Sequence, residues 1–385
     1  MTFHFTTLRT FNLSEARMFN FFSKSLYEIE PDAFGLDISD ESFKFVQLKR
    51  GKNETRLSCF SFGDFPSEVM INGEVKDEDA IVKNLQSAFL NPKFGKLTSR
   101  YTVCSLPEEH SFIRVIQLPK MSLKETKEAV KWEVEQNVPM DINDVYYDWQ
   151  AVQVEDKNIN HQDILISATP KKIADSYMSI LKKCGLLVKA LEVESVAVSR
   201  SLVPDLKTDG PVLLVDLGAT RASFIIFSGS AIQFTSSLPV AGNKMIEAIM
   251  GMLKTDRIEA KRLFYDVGLD KQADGGRAAA ALYPMVSDLA GQIKEYISFY
   301  ESHAAHEHAL KNGTSVKKIL LCGGASNLTG LTIYLASLLK IPVEAGNPWV
   351  NILKGNIREV PALPYRRSLS YTTALGLALS GIQKI

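Results

Sequence analysis

The sequence predicts an α/β protein built from two similar halves, and three observations lead to this prediction. An apolar strand that ends in an Asp, a short polar turn and a second strand occur together at residues 34–48 and again at 211–227. Segments with apolar residues at helical spacing, such as 77–90, alternate with further strand-like segments. The length of 385 residues is sufficient for two domains that each bury a core.

The boundary between the predicted halves lies at residues 207–210, where the stretch KTDG gives a turn signal. The first Asp unit and the second Asp unit lie on opposite sides of this boundary. We therefore expect three segments, which are an N-terminal extension at 1–32, a first half at 33–208 and a second half at 209–385.

A different pattern of short strands and helices occupies residues of about 105–190. It contains a clear helix signal, because Ser122 and Glu125 have the spacing of a capping box and Pro139 stops the helical pattern. We expect this stretch to form a small α+β insert in the first half.

Composition argues against several classes of function. Lys plus Arg equals Asp plus Glu, at 44 each, so the chain lacks the overall basic charge of a nucleic-acid-binding protein. There is no run of about 18 apolar residues, so no transmembrane helix is expected. The four cysteines are far apart, which favours buried, reduced thiols of a cytosolic protein over a zinc site. The residues from about Ser14 onward fit the pattern of an amphipathic helix. For this helix, packing on the domain is favoured over docking on a membrane surface.

The two Asp turns suggest a site for a phosphorylated ligand. In each unit a strand delivers an Asp, Asp37 or Asp216, and the turn that follows exposes successive backbone N–H groups that can bind an anion. Two such turns can hold a triphosphate from both sides, and the two Asp side chains can hold magnesium through its waters. At Gly323 and Gly324 the backbone can approach a flat ligand, although the stretch matches neither a Walker A loop nor a dinucleotide motif.

These stretches, in this order, resemble the actin-like ATPase fold and, within it, the PilM family of type IV pilus assembly proteins. The resemblance covers about residues 33–383 and implies two RNase H-like halves around a nucleotide cleft. FtsA, a relative from the divisome, has the same general plan, but the insert is more similar to that of PilM. The resemblance rests on GLDISDESFKFVQL and LLVDLGATRASFIIF, which resemble the two phosphate loops, on LPKMSLKETKEAVKWEVEQNVP in the insert, on LLCGGASNLTGL at the adenosine turn and on ALGLALSG in the closing helix.

The resemblance implies a role for each candidate site residue. Asp37 and Asp216 are expected at magnesium, and Asp37, Glu194 and Asp216 are expected to be catalytic, with Glu194 orienting water. For Glu194, Glu259 and Arg262 a solvated helix face is an equally weighted alternative. The residues implied to bind ATP are Ser39 and Lys44 in the first turn, Gly218, Ala219 and Thr220 in the second, Gly242 and Asn243 at the phosphates, Glu259 and Arg262 at ribose and adenine, and Gly323, Gly324 and Ser326 beside adenine.

The first turn departs from the family pattern, which usually offers Gly and Ser after the Asp. Here Ser39 is followed by two carboxylates, Asp40 and Glu41. At an effective dielectric constant near 20, a like charge about 5 Å away costs roughly 3 kcal/mol before screening. We therefore expect that these side chains turn outward, that nucleotide binding is weak, or that binding relies more on metal. Weak or absent hydrolysis is the corresponding expectation.

The resemblance also implies a place and a partner. It implies a cytoplasmic ATP-binding scaffold at the cytoplasmic face of the inner membrane, able to form homo-oligomers. In the family, the insert and the first half accept a short N-terminal peptide of PilN, a bitopic membrane protein, and we expect a PilN-like partner. Two alternatives stay open, an active ATPase or kinase of this fold and an FtsA-like membrane-associated filament. No second acid in a matching turn supports a kinase. The C-terminus LSGIQKI is too short for the membrane anchor of a filament, though the N-terminal stretch could substitute for it.

Overall fold

The computed structural model describes most of the chain, and the N-terminal stretch that contains the conceivable amphipathic helix from about Ser14 lies outside the described residues. Within the described ranges, no helix combines the length and the apolar character that a membrane crossing requires. The described residues are 31–51, 54–152, 160–240, 242–304, 313–353 and 360–383.

The described strands form a six-stranded sheet, an eight-stranded sheet and a two-stranded hairpin. In chain order the strands are β1 (Phe34–Ile38), β2 (Ser42–Arg50), β3 (Thr55–Asp64), β4 (Met70–Ile71), β5 (Glu74–Val75), β6 (Phe94–Gly95), β7 (Tyr101–Leu106), β8 (Phe112–Pro119), β9 (Val145–Ala151), β10 (His161–Pro170), β11 (Leu187–Val193), β12 (Thr208–Leu217), β13 (Ala222–Gly229), β14 (Ala231–Leu238), β15 (Lys318–Cys322) and β16 (Val343–Ala345).

The helices cover the faces of these sheets, and apolar side chains at helical spacing point into the cores that lie between them. In chain order the helices are α1 (Glu78–Leu90), α2 (Leu123–Asn137), α3 (Lys171–Lys183), α4 (Glu194–Leu202), α5 (Gly242–Leu253), α6 (Arg257–Arg262), α7 (Arg277–Ala304), α8 (Leu331–Leu339), α9 (Tyr365–Ser368) and α10 (Thr372–Ile382).

The two Asp turns occupy equivalent places in the two large sheets. β1 and β2 are antiparallel and pair Asp37 with Lys44, while β12 and β13 are antiparallel and pair Asp216 with Ser223. In each sheet the strand that carries the Asp also runs parallel to a later strand, β7 beside β1 and β15 beside β12. The repeated sequence unit therefore corresponds to a repeated structural unit.

Helices α4 and α10 pack against each other and connect the two sheets. α10 lies on β1, β2 and β7 of the six-stranded sheet, and α4 contacts β12 and β13 of the eight-stranded sheet. The two helices approach closely, since a Cβ added to Gly376 would lie 1.9 Å from the carbonyl oxygen of Ala197. Glu192 accepts hydrogen bonds from Arg200 on α4 (2.6 Å) and Ser380 on α10 (2.5 Å), all three being buried. The C-terminal helix is thus fixed to the sheet of the first Asp unit.

The stretch predicted as an insert divides between the two sheets. β8 pairs with β14 through Arg114 and Phe234, and β10 pairs with both β8 and β9, so these three strands extend the eight-stranded sheet. β11 instead pairs with β7 in the six-stranded sheet, and α3 packs on that side. The predicted capping box is confirmed, because Ser122 accepts from the Glu125 N–H and the Glu125 carboxylate accepts from the Ser122 N–H.

The connection between α5 and α6 is short. It contains Lys254, which has a left-handed φ of 52°, and α6 begins with Asp256 as its N-cap. The predicted boundary between the halves at 207–210 overlaps the start of β12, which begins at Thr208.

Candidate nucleotide site

The two Asp turns face each other across a cavity of about 250 Å³. The strand order accounts for this placement, because the carboxyl ends of β1 and β12 deliver their Asp residues to the same opening. The first residues of α4 and α10 also line the cavity, so two helix N-termini, which favour anions, face it. Of the predicted site residues, the cavity brings together Asp37, Ser39, Lys44, Glu194, Asp216, Gly218, Ala219, Thr220, Gly323 and Gly324.

Asp37 is the buried carboxylate of the first turn. Ser105, at the end of the parallel strand β7, donates a hydrogen bond to it (3.2 Å) and accepts one from the N–H of Ile38 (3.1 Å). Burial raises the pKa of Asp37, and the charge of Lys44 and the Ser105 hydrogen bond lower it in part. A cation near Asp37 would therefore stabilise its ionised form.

Asp216 and Glu194 share this environment, although both side chains open onto the cavity. Burial, reinforced by the charge of Asp37, raises the pKa of Asp216 to about 7, against the lowering effects of Lys44 and of a Thr373 hydrogen bond. Burial also raises the pKa of Glu194 well above its usual range, and Asp37 is the largest of the charges that add to this. The cavity therefore concentrates carboxylates that repel one another and places Lys44 beside them.

The donor set fits a hydrated magnesium ion better than a closed metal cage. Among the described residues, no group of three or more His, Cys, Asp or Glu side chains is arranged to hold a metal ion. Magnesium, however, keeps several waters and uses one or two carboxylates, and carboxylates whose pKa is raised by burial gain from a cation. Asp37 and Asp216 meet this description.

The second turn depends on a glycine of a distant strand. Gly218 closes the turn by donating to the carbonyl oxygen of Arg221 (2.9 Å). Gly323 lies against this turn with a left-handed φ of 84°, and a Cβ there would lie 2.3 Å from both the Asp216 Oδ1 and the Leu217 carbonyl oxygen. Only glycine fits this position. Gly324 is not constrained in this way, since its nearest neighbour would be 3.9 Å from a Cβ.

Five of the predicted site residues lie outside the cavity lining. Gly242 and Asn243 hold the backbone of the second turn without lining the cavity. Their N–H groups donate to the carbonyl oxygens of Gly218 (3.1 Å) and Ala219 (3.0 Å). Ser326 is buried and donates to the carbonyl oxygen of Gly323 (2.7 Å).

Glu259 and Arg262 are the other two residues outside the lining. They pair with each other at 2.6 Å on an exposed face of α6. This hydrogen-bonded pair lowers the pKa of Glu259. Their part in binding ribose and adenine stays a prediction.

The cavity also contains residues that the sequence reasoning missed. Glu109, Tyr177, Arg221 and Thr373 line it, and each comes from a different element or turn. A signal existed only for Arg221, which directly follows the predicted phosphate-binding run in the second turn. The others lie in stretches without a recognisable motif, and only the fold brings them to the cavity.

The two carboxylates that depart from the family pattern both have partners in the protein. The Asp40 Oδ1 accepts from the N–H of Gly73 (2.8 Å), and its Oδ2 accepts from the hydroxyl of Thr220 in the second turn (3.4 Å). The Glu41 Oε1 accepts from the Asn243 side-chain amide (2.7 Å). Both carboxylates thus reach across to the opposite half of the site.

The family model described as type IV pilus assembly protein PilM matches residues 35–382. The chain belongs to the PilM family. A solved structure of a PilM-PilN type IV pilus biogenesis complex is similar to it with a TM-score of 0.76 and 24% identity, over 92% of this chain and 100% of that chain. The family resemblance and the predicted actin-like fold class are therefore confirmed for this PilM-family protein.

More distant relatives share the fold or part of the sequence. MreB 5 of Spiroplasma citri, solved bound to AMPPNP, has a TM-score of 0.50 and 12% identity over 90% of this chain and 94% of that chain. The cell division protein FtsA of Pseudomonas aeruginosa is 25% identical over 53% of this chain and 50% of its own length. The PilM-family chain thus spans about half the length of the curated relatives it matches.

Proposed function

We propose that this PilM-family protein is an ATP-binding scaffold of the type IV pilus assembly platform, in which nucleotide acts as a conformational ligand. The observation that carries the proposal is the convergence of Asp37, Glu194 and Asp216 with two N–H-rich turns on one cavity. The AMPPNP bound to MreB 5 of Spiroplasma citri, which has the same fold, also supports it. Nucleotide that contacts both turns would change the relative position of the two halves, and a partner could sense that change through linkage.

Magnesium fits this proposal. Asp37 and Asp216 would hold the ion through its waters, and the ion would supply positive charge against the triphosphate. Lys44 lies opposite Asp37 in the first hairpin and lowers the pKa of both Asp residues. Like the magnesium ion, it would supply positive charge against the triphosphate. The N–H groups of Ala219 and Thr220 would bind phosphate oxygens from the other side, whereas the N–H of Gly218, also predicted to bind phosphate, already donates to the Arg221 carbonyl oxygen (2.9 Å).

Slow hydrolysis is part of the proposal. Glu194 is the residue expected to orient water, and burial together with neighbouring carboxylates raises its pKa well above the usual range. A raised pKa favours the uncharged form of Glu194, and only the charged form can accept a proton from an attacking water. The carboxylates of Asp40 and Glu41 near the phosphate position would further disfavour binding of the triphosphate.

We further propose that the partner is a PilN-like bitopic membrane protein that binds through an N-terminal peptide. The support is the solved relative, which is a PilM-PilN complex. Such a partner would hold the protein at the cytoplasmic face of the inner membrane, and self-association is compatible with it. Removing about ten N-terminal residues of the partner should abolish co-purification, and unchanged binding would contradict the peptide mode.

Calorimetric titration with ATP, with and without magnesium, tests the nucleotide site. We expect magnesium-dependent binding that Asp216→Ala reduces by about 100-fold or more, because the ion loses one of its two carboxylates. The control is Asp288→Ala, which removes the same charge from an exposed position on α7. A folded, nucleotide-stripped protein that does not bind ATP, or equal binding by both variants, would contradict the proposed site.

A further inference from the structure

Several side-chain contacts join the two sides of the cavity, and in three of them a carboxylate of the first half contacts a donor of the second half. Asp40 accepts from Thr220 at 3.4 Å, and Glu41 accepts from Asn243 at 2.7 Å. The third contact is an ion pair at 3.7 Å between Glu109, which follows β7, and Arg221, which follows Thr220 in the second turn. All three acidic groups come from segments next to the six-stranded sheet.

The neighbours of these groups fix their orientation. The Asn243 Oδ1 accepts from Arg257 at 2.6 Å, so its Nδ2 is the atom that faces Glu41. The second oxygen of Asp40 is held by the N–H of Gly73 at 2.8 Å. Both carboxylates are therefore aimed at the second half by bonds that do not involve a ligand.

We propose that Asp40 and Glu41 form an internal latch that closes the cleft and competes with nucleotide phosphate. The proposal rests on the proposed nucleotide site and adds a regulation of that site. A hydroxyl has one hydrogen to donate, so the Thr220 side chain cannot donate to a phosphate while it donates to Asp40. The Asn243 amide keeps a second N–H, so Glu41 competes through its charge, since its carboxylate lines the cavity and would repel phosphate. The latch and phosphate thus compete for the Thr220 hydroxyl and repel each other through their charges.

The size of the cavity agrees with a closed latch. Sites for drug-sized ligands commonly have volumes of about 300–1,000 Å³. The cavity between the turns has about 250 Å³. A triphosphate that enters with its own negative charges would separate Asp40 and Glu41 from their partners and widen the space between the turns. Nucleotide affinity is then set partly by the stability of the latch.

Two measurements test the latch. The first is the distance between the halves, measured by pulsed electron paramagnetic resonance. The nitroxide labels are attached to Lys83→Cys in α1 and Glu247→Cys in α5, in a protein that also carries Cys184→Ser. The remaining cysteines Cys59, Cys104 and Cys322 are buried. The second is the affinity for MgATP, measured by calorimetric titration. The test variant is Asp40→Ala with Glu41→Ala, and the control is Asp288→Ala with Glu295→Ala, which removes two charges from exposed positions on α7.

The latch predicts a longer or broader label distance in the test variant without nucleotide, and MgATP binding that is roughly tenfold tighter. The control should change neither. Tighter binding with an unchanged distance would mean simple charge repulsion and would overturn the latch, as would an unchanged distance and affinity. If neither protein bound MgATP, the proposed nucleotide site and the competition would fail. The distance measurement would then show separately whether the contacts hold the halves together.

Discussion

The two Asp turns have the same backbone arrangement and opposite side-chain chemistry. The turn after Asp37 carries two carboxylates, Asp40 and Glu41, whereas the turn after Asp216 carries Thr220 and Arg221, which are donors. In the structure the carboxylates of the first turn contact donors of the second half. The repeated backbone places the two turns around one cavity, while their side chains differ, because the first turn carries acceptors and the second carries donors.

The neighbouring parallel strands extend this comparison. Ser105, the residue before the last in β7, donates to Asp37, whereas β15 is followed by Gly323, which leaves room for Asp216. The first Asp is held by a hydrogen bond from a neighbouring strand, and the second packs closely against a glycine and has its hydrogen bond from Thr373 on α10. The two halves therefore differ in what a substitution beside each Asp would do.

Gly323→Ala should have the largest effect on stability, a loss of about 3 kcal/mol or more. The new Cβ would lie 2.3 Å from the Leu217 backbone oxygen and the Asp216 carboxylate, and the left-handed φ of 84° is strained for alanine. Urea unfolding would measure it. The matched control is Gly324→Ala, whose Cβ would meet its nearest neighbour at 3.9 Å. Equal unfolding free energies for the two variants would show that the second turn is not packed as described.

The second prediction concerns the pH dependence of folding. Burial and the charge of Asp37 raise the folded-state pKa of Asp216 to about 7. Between about pH 4 and pH 7 the folded protein then binds more protons at this site than the unfolded chain, so the site's contribution to the unfolding free energy falls as pH rises. In magnesium-free buffer, Asp216→Asn should be more stable than the wild type above pH 7, by on the order of 1–2 kcal/mol.

This advantage of Asp216→Asn should disappear below about pH 4, where the aspartic acid is protonated in both states. Chemical unfolding across the pH range, with Asp288→Asn as the exposed control, would measure it. A difference between wild type and Asp216→Asn that does not change with pH would indicate that Asp216 keeps an ordinary pKa.

The sequence predicted the parts of the site that are local in the chain. Asp37 and Asp216 each end a strand before a turn, and that pattern is visible in a few residues. Thr373 and Glu109 reach the cavity only through the packing of α10 and the chain path after β7, so no local pattern could have indicated them. Glu259 and Arg262 lie three residues apart on α6 and pair with each other, and their part in binding ribose and adenine stays a prediction.

The fold class was predictable because the repeated unit and the family resemblance both cover long stretches of the chain. The pairing of the insert strands was not, because β8 joins the eight-stranded sheet through the single pair Arg114 and Phe234. Alternation of apolar and polar residues indicates a strand and its apolar face. It does not identify the strand that lies beside it. The cross-cleft contacts of Asp40 and Glu41 likewise depend on the relative position of two halves.

The smallest expected effects concern the residues that pair with the two Asp residues across each hairpin. Lys44 pairs with Asp37 and Ser223 pairs with Asp216 in the same register. Lys44 lowers the pKa of both Asp residues, so it acts on both turns, whereas a serine carries no charge. Lys44→Gln should weaken MgATP binding about tenfold, and Ser223→Ala less than about twofold.

Calorimetric titration with MgATP would measure both, with Lys49→Gln as a control that removes a positive charge from an exposed position on the same strand. The control should leave the affinity unchanged, because its charge lies away from the cavity and is screened by solvent. If Ser223→Ala weakened binding as much as Lys44→Gln, the two hairpins would contribute equally to phosphate binding. The asymmetry inferred from their side chains would then be wrong, although the repeated backbone would remain.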